Sequence, residues 1–238
     1  EWQFDAPLGQ RKLQEQPHVS SLAAWDADDV PQAHAAAAAL LGYCEHTQGR
    51  ALTHVQSLKV ERNDDTVDLP LSTRRNLELT QTLRGETAPT LFSLLDTCMT
   101  GMGSRCLKHW LQEPRRERSE ASARLEAITA LRGGDGAGPW QQLREQLKGT
   151  GDVERITARI ALRQVRPREL VALQLALQKS ELLPNTCYGL APLLTQISEH
   201  VQPPEGCSAL LARAIAPEPA ALVRDGGVIA TGFDAELD

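Results

Sequence analysis

Arg155, Arg159 and Arg163 recur at i, i+4 and i+8, a spacing that sets three guanidinium groups along one side of a helix whose other side carries Val153, Ile156 and Ile160. Arg166 and Arg168 bring the run to five arginines in fourteen residues. Such a strip could make weak contacts with a DNA backbone, because Arg neutralises phosphates. It reads more readily as a solvated face paired with Glu154, Glu169 or a neighbouring helix, since no aromatic or glycine-rich element of the kind used by single-strand binders accompanies it. Arg74 and Arg75 are a second basic pair. They could hold an anion, but guanidinium forks also pin helix ends and loops through several donors, and a structural network is the preferred reading.

Other residue types suggest chemistry that their spacing does not support. Cys106 and His109 stand three apart, and Cys44 and His46 flank Glu45, yet tetrahedral metal sites use two close ligand pairs with loop glycines. Cys106 falls instead on the apolar stripe Gly103, Cys106, Leu107, Trp110 and Leu111, so packing is expected there and no metal. No Gly-x-Ser-x-Gly elbow positions a nucleophile. The phosphate loop Gly-x-x-x-x-Gly-Lys-Ser/Thr is also absent from the sequence, so no catalytic and no cofactor-binding residue is assigned.

Bulk properties narrow the class further. A chain of 238 residues can bury a substantial core as one large domain or two smaller ones. Its net charge of −6 gives no general attraction to nucleic acid. Five cysteines without framework spacing read as free, mostly buried thiols in a reducing compartment, hence a cytoplasmic protein. No apolar run approaches the ~20 residues of a membrane span, so no membrane partner is expected. The absence of an initiating Met and the close at Asp-Ala-Glu-Leu-Asp238 suggest a piece of a longer protein.

The elements that must position these residues are mostly helical. Asp28, Asp29 and Pro31 announce an Ala-rich helix from Gln32 to about Gln48, whose small side chains at Ala35 through Ala39 admit a close neighbour. Leu58–Arg62 and Val67–Leu69 alternate about Asn63-Asp64-Asp65 and predict a hairpin. Short helices are expected at 73–80 and 91–98, then the striped helix ended by Pro114. Further helices follow at 119–131, 140–147, 152–165, 167–180, 190–201 and 207–215, with breaks that include Pro184. Leu222-Val223 and Val228-Ile229 about Asp225-Gly226 predict a second small hairpin.

Four stretches carry a resemblance in one order along nearly the whole chain. They are Leu71-Ser-Thr-Arg-Arg-Asn-Leu-Glu-Leu-Thr80, Met102-Gly-Ser-Arg-Cys-Leu-Lys-His-Trp-Leu-Gln-Glu-Pro114, Gly151-Asp-Val-Glu-Arg-Ile-Thr-Ala-Arg-Ile-Ala-Leu-Arg163 and Leu222 to Asp238. Together they resemble the core region of the MutS family of DNA mismatch-repair proteins. The resemblance implies a mainly α fold with two small β-hairpins. It assigns residues 1–50 to a connector-to-core junction, 51–115 to a helical core and 116–238 to an elongated helical lever arm that stops before the clamp. It further implies a transducer, not itself an enzyme, coupling mismatched-DNA binding to an ATPase domain that lies elsewhere in the full-length parent. ATP and Mg, mismatched double-stranded DNA, a second MutS subunit and a MutL-type partner would belong to that parent. Two other readings stay open on the residues alone: a self-contained helical protein-interaction module without a DNA role, and an unrecognised enzyme.

Overall fold

The computed structural model describes residues 4–61 and 65–236, and within them the protein is mainly α, with eleven α-helices. The chain forms two compact units, residues 1–63 and residues 64–238. Among the described residues no helix is long and apolar enough to cross a membrane.

The first unit is built on two helices. Asp5 caps α1 (Ala6–Glu15) by accepting from the Leu8 amide at 2.8 Å, satisfying one of the orphan donors of the first turn. Pro31 opens α2 (Pro31–Gln48) and Gly49, at φ 64°, closes it. The small-residue stretch does admit a close neighbour: His34, Ala35 and Ala38 are buried. Gly9 of α1 lies so near that a Cβ there would stand 2.7 Å from the carbonyl carbon and oxygen of His34. Leu13, Leu22 and Ala27 form the core of the unit, and the buried His34 ring bonds the Ala27 carbonyl at 2.5 Å.

The expected hairpin across residues 58–69 is not formed by the described residues. Leu58 and Val60 pack against the Leu13, Leu22 and Ala27 core, so their alternation reflects one face covering the helix pair. Arg62, Asn63 and Asp64 lie outside the described residues. On the far side, Thr66 bridges Arg115 in antiparallel sense and the Val67 amide donates to the Pro114 carbonyl at 2.8 Å.

The second unit holds α3 (Leu71–Asn76), α4 (Leu91–Leu95), α5 (Gly101–Gln112), α6 (Arg118–Arg132), α7 (Trp140–Leu147), α8 (Val153–Ala161), α9 (Pro167–Cys187), α10 (Pro192–His200) and α11 (Cys207–Ala214). Side-chain caps start four of them: Thr90 on α4 in a reciprocal box with Ser93, Thr100 on α5, Glu117 on α6 and Asp152 on α8. The hub is α9, which contacts α7, α8, α10 and α11. Its cores are Ile156, Leu173 and Leu177 toward α8, and Cys187 with Ala191, Leu194 and Ala127 toward α10 and α6.

Three further expectations are corrected. Pro184 does not break α9, which continues to Cys187. Proline forfeits one backbone bond, but the turn after it buries Thr186 and Cys187, and that packing holds the helix together. The second hairpin is also absent: residues Val223–Asp225 form a 3-10 turn, and Ile229 bridges Ile215 instead of the Leu222 segment. Finally, α8 stops at Ala161 and not near Val165. Arg163 adopts a left-handed φ of 52°, with its amide on the Ile160 carbonyl and the Gln164 amide on the Arg159 carbonyl. That is the closing pattern usually made with glycine, here without one.

Candidate functional site

Two of the four resembling stretches meet in space. Arg105 on α5 is 47 residues from Asp152, yet its Nη1 donates to Asp152 Oδ2 at 2.7 Å and its Nη2 to Asp152 Oδ1 at 2.8 Å. The same Nη2 reaches Glu154 Oε2 at 2.5 Å. A planar guanidinium suits this double bond to one carboxylate, which fixes orientation as well as distance. Asp152 also caps α8, accepting from the Arg155 amide at 3.2 Å, so one carboxylate both starts a helix and ties it to another.

The electrostatics follow from that geometry. Hydrogen bonds from Arg105, with a smaller contribution from the Arg155 amide, hold the Asp152 carboxyl below its ordinary range. The two carboxylates raise Arg105 still further above an already high value. Close behind the joint, a Cβ on Gly151 would meet the Ala172 carbonyl oxygen at 3.1 Å, a tight approach of the α8 entry to α9.

The arginine strip is dispersed by the fold. Arg155 lies 3.6 Å from Asp152, Arg159 pairs with Glu169, and Arg163 sits beyond the end of α8. Arg166 donates its amide to Glu169 at 2.9 Å, and Arg168 Nε donates to the Pro219 carbonyl at 3.4 Å. The regular i, i+4, i+8 line therefore does not exist as a single face.

The apolar stripe on α5 is less buried than its spacing implies. No residue of α5 is buried, Cys106 is exposed, and Trp110 is 42% exposed. The Arg124 guanidinium lies over the Trp110 ring, 3.7 Å from its centroid, and pairs with Glu120, so a cation covers what apolar side chains were expected to cover. The cysteines are likewise not mostly buried: all five are free, and only Cys187 is buried. Cys98 and Cys106 are exposed as residues, but desolvation of the sulfur is the leading cause raising both thiols above their ordinary range, which disfavours the nucleophilic thiolate. Among the described residues no three His, Cys, Asp or Glu side chains are grouped to hold a metal ion.

Arg74 and Arg75, on α3, border a cavity of about 480 Å³ together with Leu79 and Leu83. Arg74 Nε donates to the Leu69 carbonyl at 2.9 Å, pinning the entry to α3 as a structural network would. Sequence reasoning missed the Arg105 joint. Its only signal was a basic residue in one resembling stretch and two acidic residues in another, and nothing local says that they touch.

The family model described as MutS domain III matches residues 72–236, which takes in all four resembling stretches apart from their outermost residues and includes the Arg105 joint. With more than two thirds of its length matched in this way, the chain belongs to the MutS family of DNA mismatch-repair proteins.

Proposed function

We propose that this chain is the core and lever segment of a MutS-like mismatch-repair ATPase and acts as a mechanical link between mismatched-DNA binding and ATP hydrolysis in the complete protein. The observation that supports the reading is the Arg105 joint. A bidentate guanidinium on α5 grips the first turn of α8, and α8 is packed on the hub helix α9 through Ile156, Leu173 and Leu177. Helices tied end to face in this way move as units and pass on a displacement that loops would absorb. In this reading ATP and Mg are bound by another domain, duplex DNA by others again, and the second MutS subunit and a MutL-type partner dock on the assembled cytoplasmic protein.

The test is Asp152→Ala in the complete gene product. The variant keeps every phosphate-binding residue, so basal ATP hydrolysis should persist while its response to mismatched duplex falls by about tenfold, a loss of about 1.4 kcal/mol of coupling. Circular dichroism on the same sample establishes that the helices remain. An unaltered mismatch response in the folded variant overturns the transducer reading, as does a wild-type protein whose ATPase ignores mismatches.

A further inference from the structure

The cavity beside α3 carries charge of one sign. Arg74 and Arg75 line it, and no carboxylate does. Several guanidinium groups elsewhere in this acidic chain sit on acids: Arg105 on Asp152, Arg124 on Glu120 and Arg159 on Glu169. The Arg75 guanidinium has no ion pair or hydrogen bond among the described residues. Arg74 commits only its Nε, to the Leu69 carbonyl, which leaves its terminal nitrogens as donors. Glu78, the nearest acid along the chain, is occupied in accepting the Leu83 amide at 2.7 Å.

The turn from Gln81 to Gly85 that also lines the cavity is held by its own hydrogen bonds. The Thr82 amide donates to the Glu86 carbonyl at 2.8 Å, the Gly85 amide to Thr82 at 2.9 Å, and Gln81 Nε2 to the Gly85 carbonyl at 2.8 Å. Gln112 Nε2 donates to Thr80 Oγ1 at 3.3 Å, and the Thr80 hydroxyl proton remains as one more donor beside the two forks. Leu71, Leu79 and Leu83 supply apolar wall. About 480 Å³ is far more than a bare oxyanion fills and falls in the range of pockets that take small organic ligands, so the anion belongs on an apolar body.

We propose that this cavity binds a phosphomonoester, its phosphate on the Arg74 and Arg75 guanidinium groups and its organic part against Leu71, Leu79 and Leu83. A phosphate dianion offers three acceptor oxygens to donors set in planar forks, where a carboxylate offers two. Binding of this kind needs neither metal nor phosphate loop, and it is independent of the transducer reading.

Calorimetric titration of the whole chain with phenyl phosphate, inorganic phosphate, phenylacetate and phenol tests it. Phenyl phosphate should bind saturably, inorganic phosphate and phenylacetate at least about tenfold more weakly, and phenol not at all. Arg75→Gln should weaken phenyl phosphate by about tenfold or more, while Arg155→Gln, the same charge change on α8, should alter it by less than about twofold. Leu83→Glu, which sets a carboxylate in the wall at an exposed position, should abolish binding without relying on Arg75. No saturable binding of phenyl phosphate, equal loss in Arg155→Gln, or phenylacetate bound as tightly as the phosphate would overturn the proposal.

Discussion

Between α1 and α2 the backbones approach until Gly9 lies against the His34 carbonyl, whereas α5 and α8 meet through a charged fork, Arg105 on Asp152 and Glu154. The first contact is made by the absence of a side chain and sealed by an apolar core around Leu22, the most deeply buried large side chain among the described residues. The second is made by long polar side chains at a partly exposed surface. Close packing tolerates no added atom and ignores pH, while an exposed ionic joint tolerates substitution of its surroundings and depends on protonation. A region built in the first way is suited to staying as it is. One built in the second way can be strengthened or released by modest changes in charge.

That contrast is sharpest in the first unit's core. Leu22→Ala should cost about 2–5 kcal/mol, because it removes a fully buried side chain and leaves a cavity. Chemical denaturation at neutral pH and again near pH 4 should give the same loss at both. A loss under about 1 kcal/mol would show that the cluster relaxes around the gap and is not closely packed.

Gly9→Ala should cost less, about 1–3 kcal/mol, as overpacking. The sign is the informative part. In a helix interior Ala is favoured over Gly by about 1 kcal/mol, so a stabilised variant would mean that α1 and α2 stand farther apart than 2.7 Å allows. The blocking atoms are backbone, carbonyl carbon and oxygen of His34 and the Ala35 amide nitrogen, and no rotamer change can clear them.

The smallest effect belongs to the ionic joint, and its signature is pH. Asp152 is held below its ordinary range chiefly by Arg105, so near its unfolded pKa of about 3.9 the folded chain binds fewer protons there than the unfolded chain. Its stabilisation is complete above that pKa and is lost as pH falls through the lower folded value. The stability gap between wild type and Asp152→Asn should therefore be widest at neutral pH and shrink below about pH 4. Asp96, held low by Ser104, and Glu117, held low by Ser119, titrate in both proteins and cancel in the difference. A gap that is the same at pH 6 and pH 3 would show that the fork contributes nothing through its charge.

Much of this fold was legible before any coordinates. The signal at Pro31, and the expected helix starts at residues 140, 152, 167 and 207, lie at or beside the observed helix ends. Where reading failed, the failure was specific. Arg163 takes a left-handed turn that glycine usually signals, so α8 was expected to run too far. Pro184 carries the usual mark of a break, yet distant packing overrides it. Trp110 has core spacing, but the residue laid over it is Arg124 from α6.

The candidate site divides along the same line. Caps and periodicity arise from hydrogen bonds and contacts within about four residues, so the sequence by itself determined that this protein is mainly α, where most helices begin, and, through four ordered stretches, its MutS character. Which strands pair, which stripe is covered and which charges meet depend on atoms contributed from tens of residues away. Only the tertiary structure could decide that Ile229 bridges Ile215, that the arginines of α8 separate onto Asp152 and Glu169, and that Arg105 reaches across 47 residues to Asp152 while Arg75 is left facing a cavity without an acid. Those pairings follow from chain packing, in which the gain of a contact must exceed the entropy of bringing remote segments together, and no local pattern of residues encodes that balance.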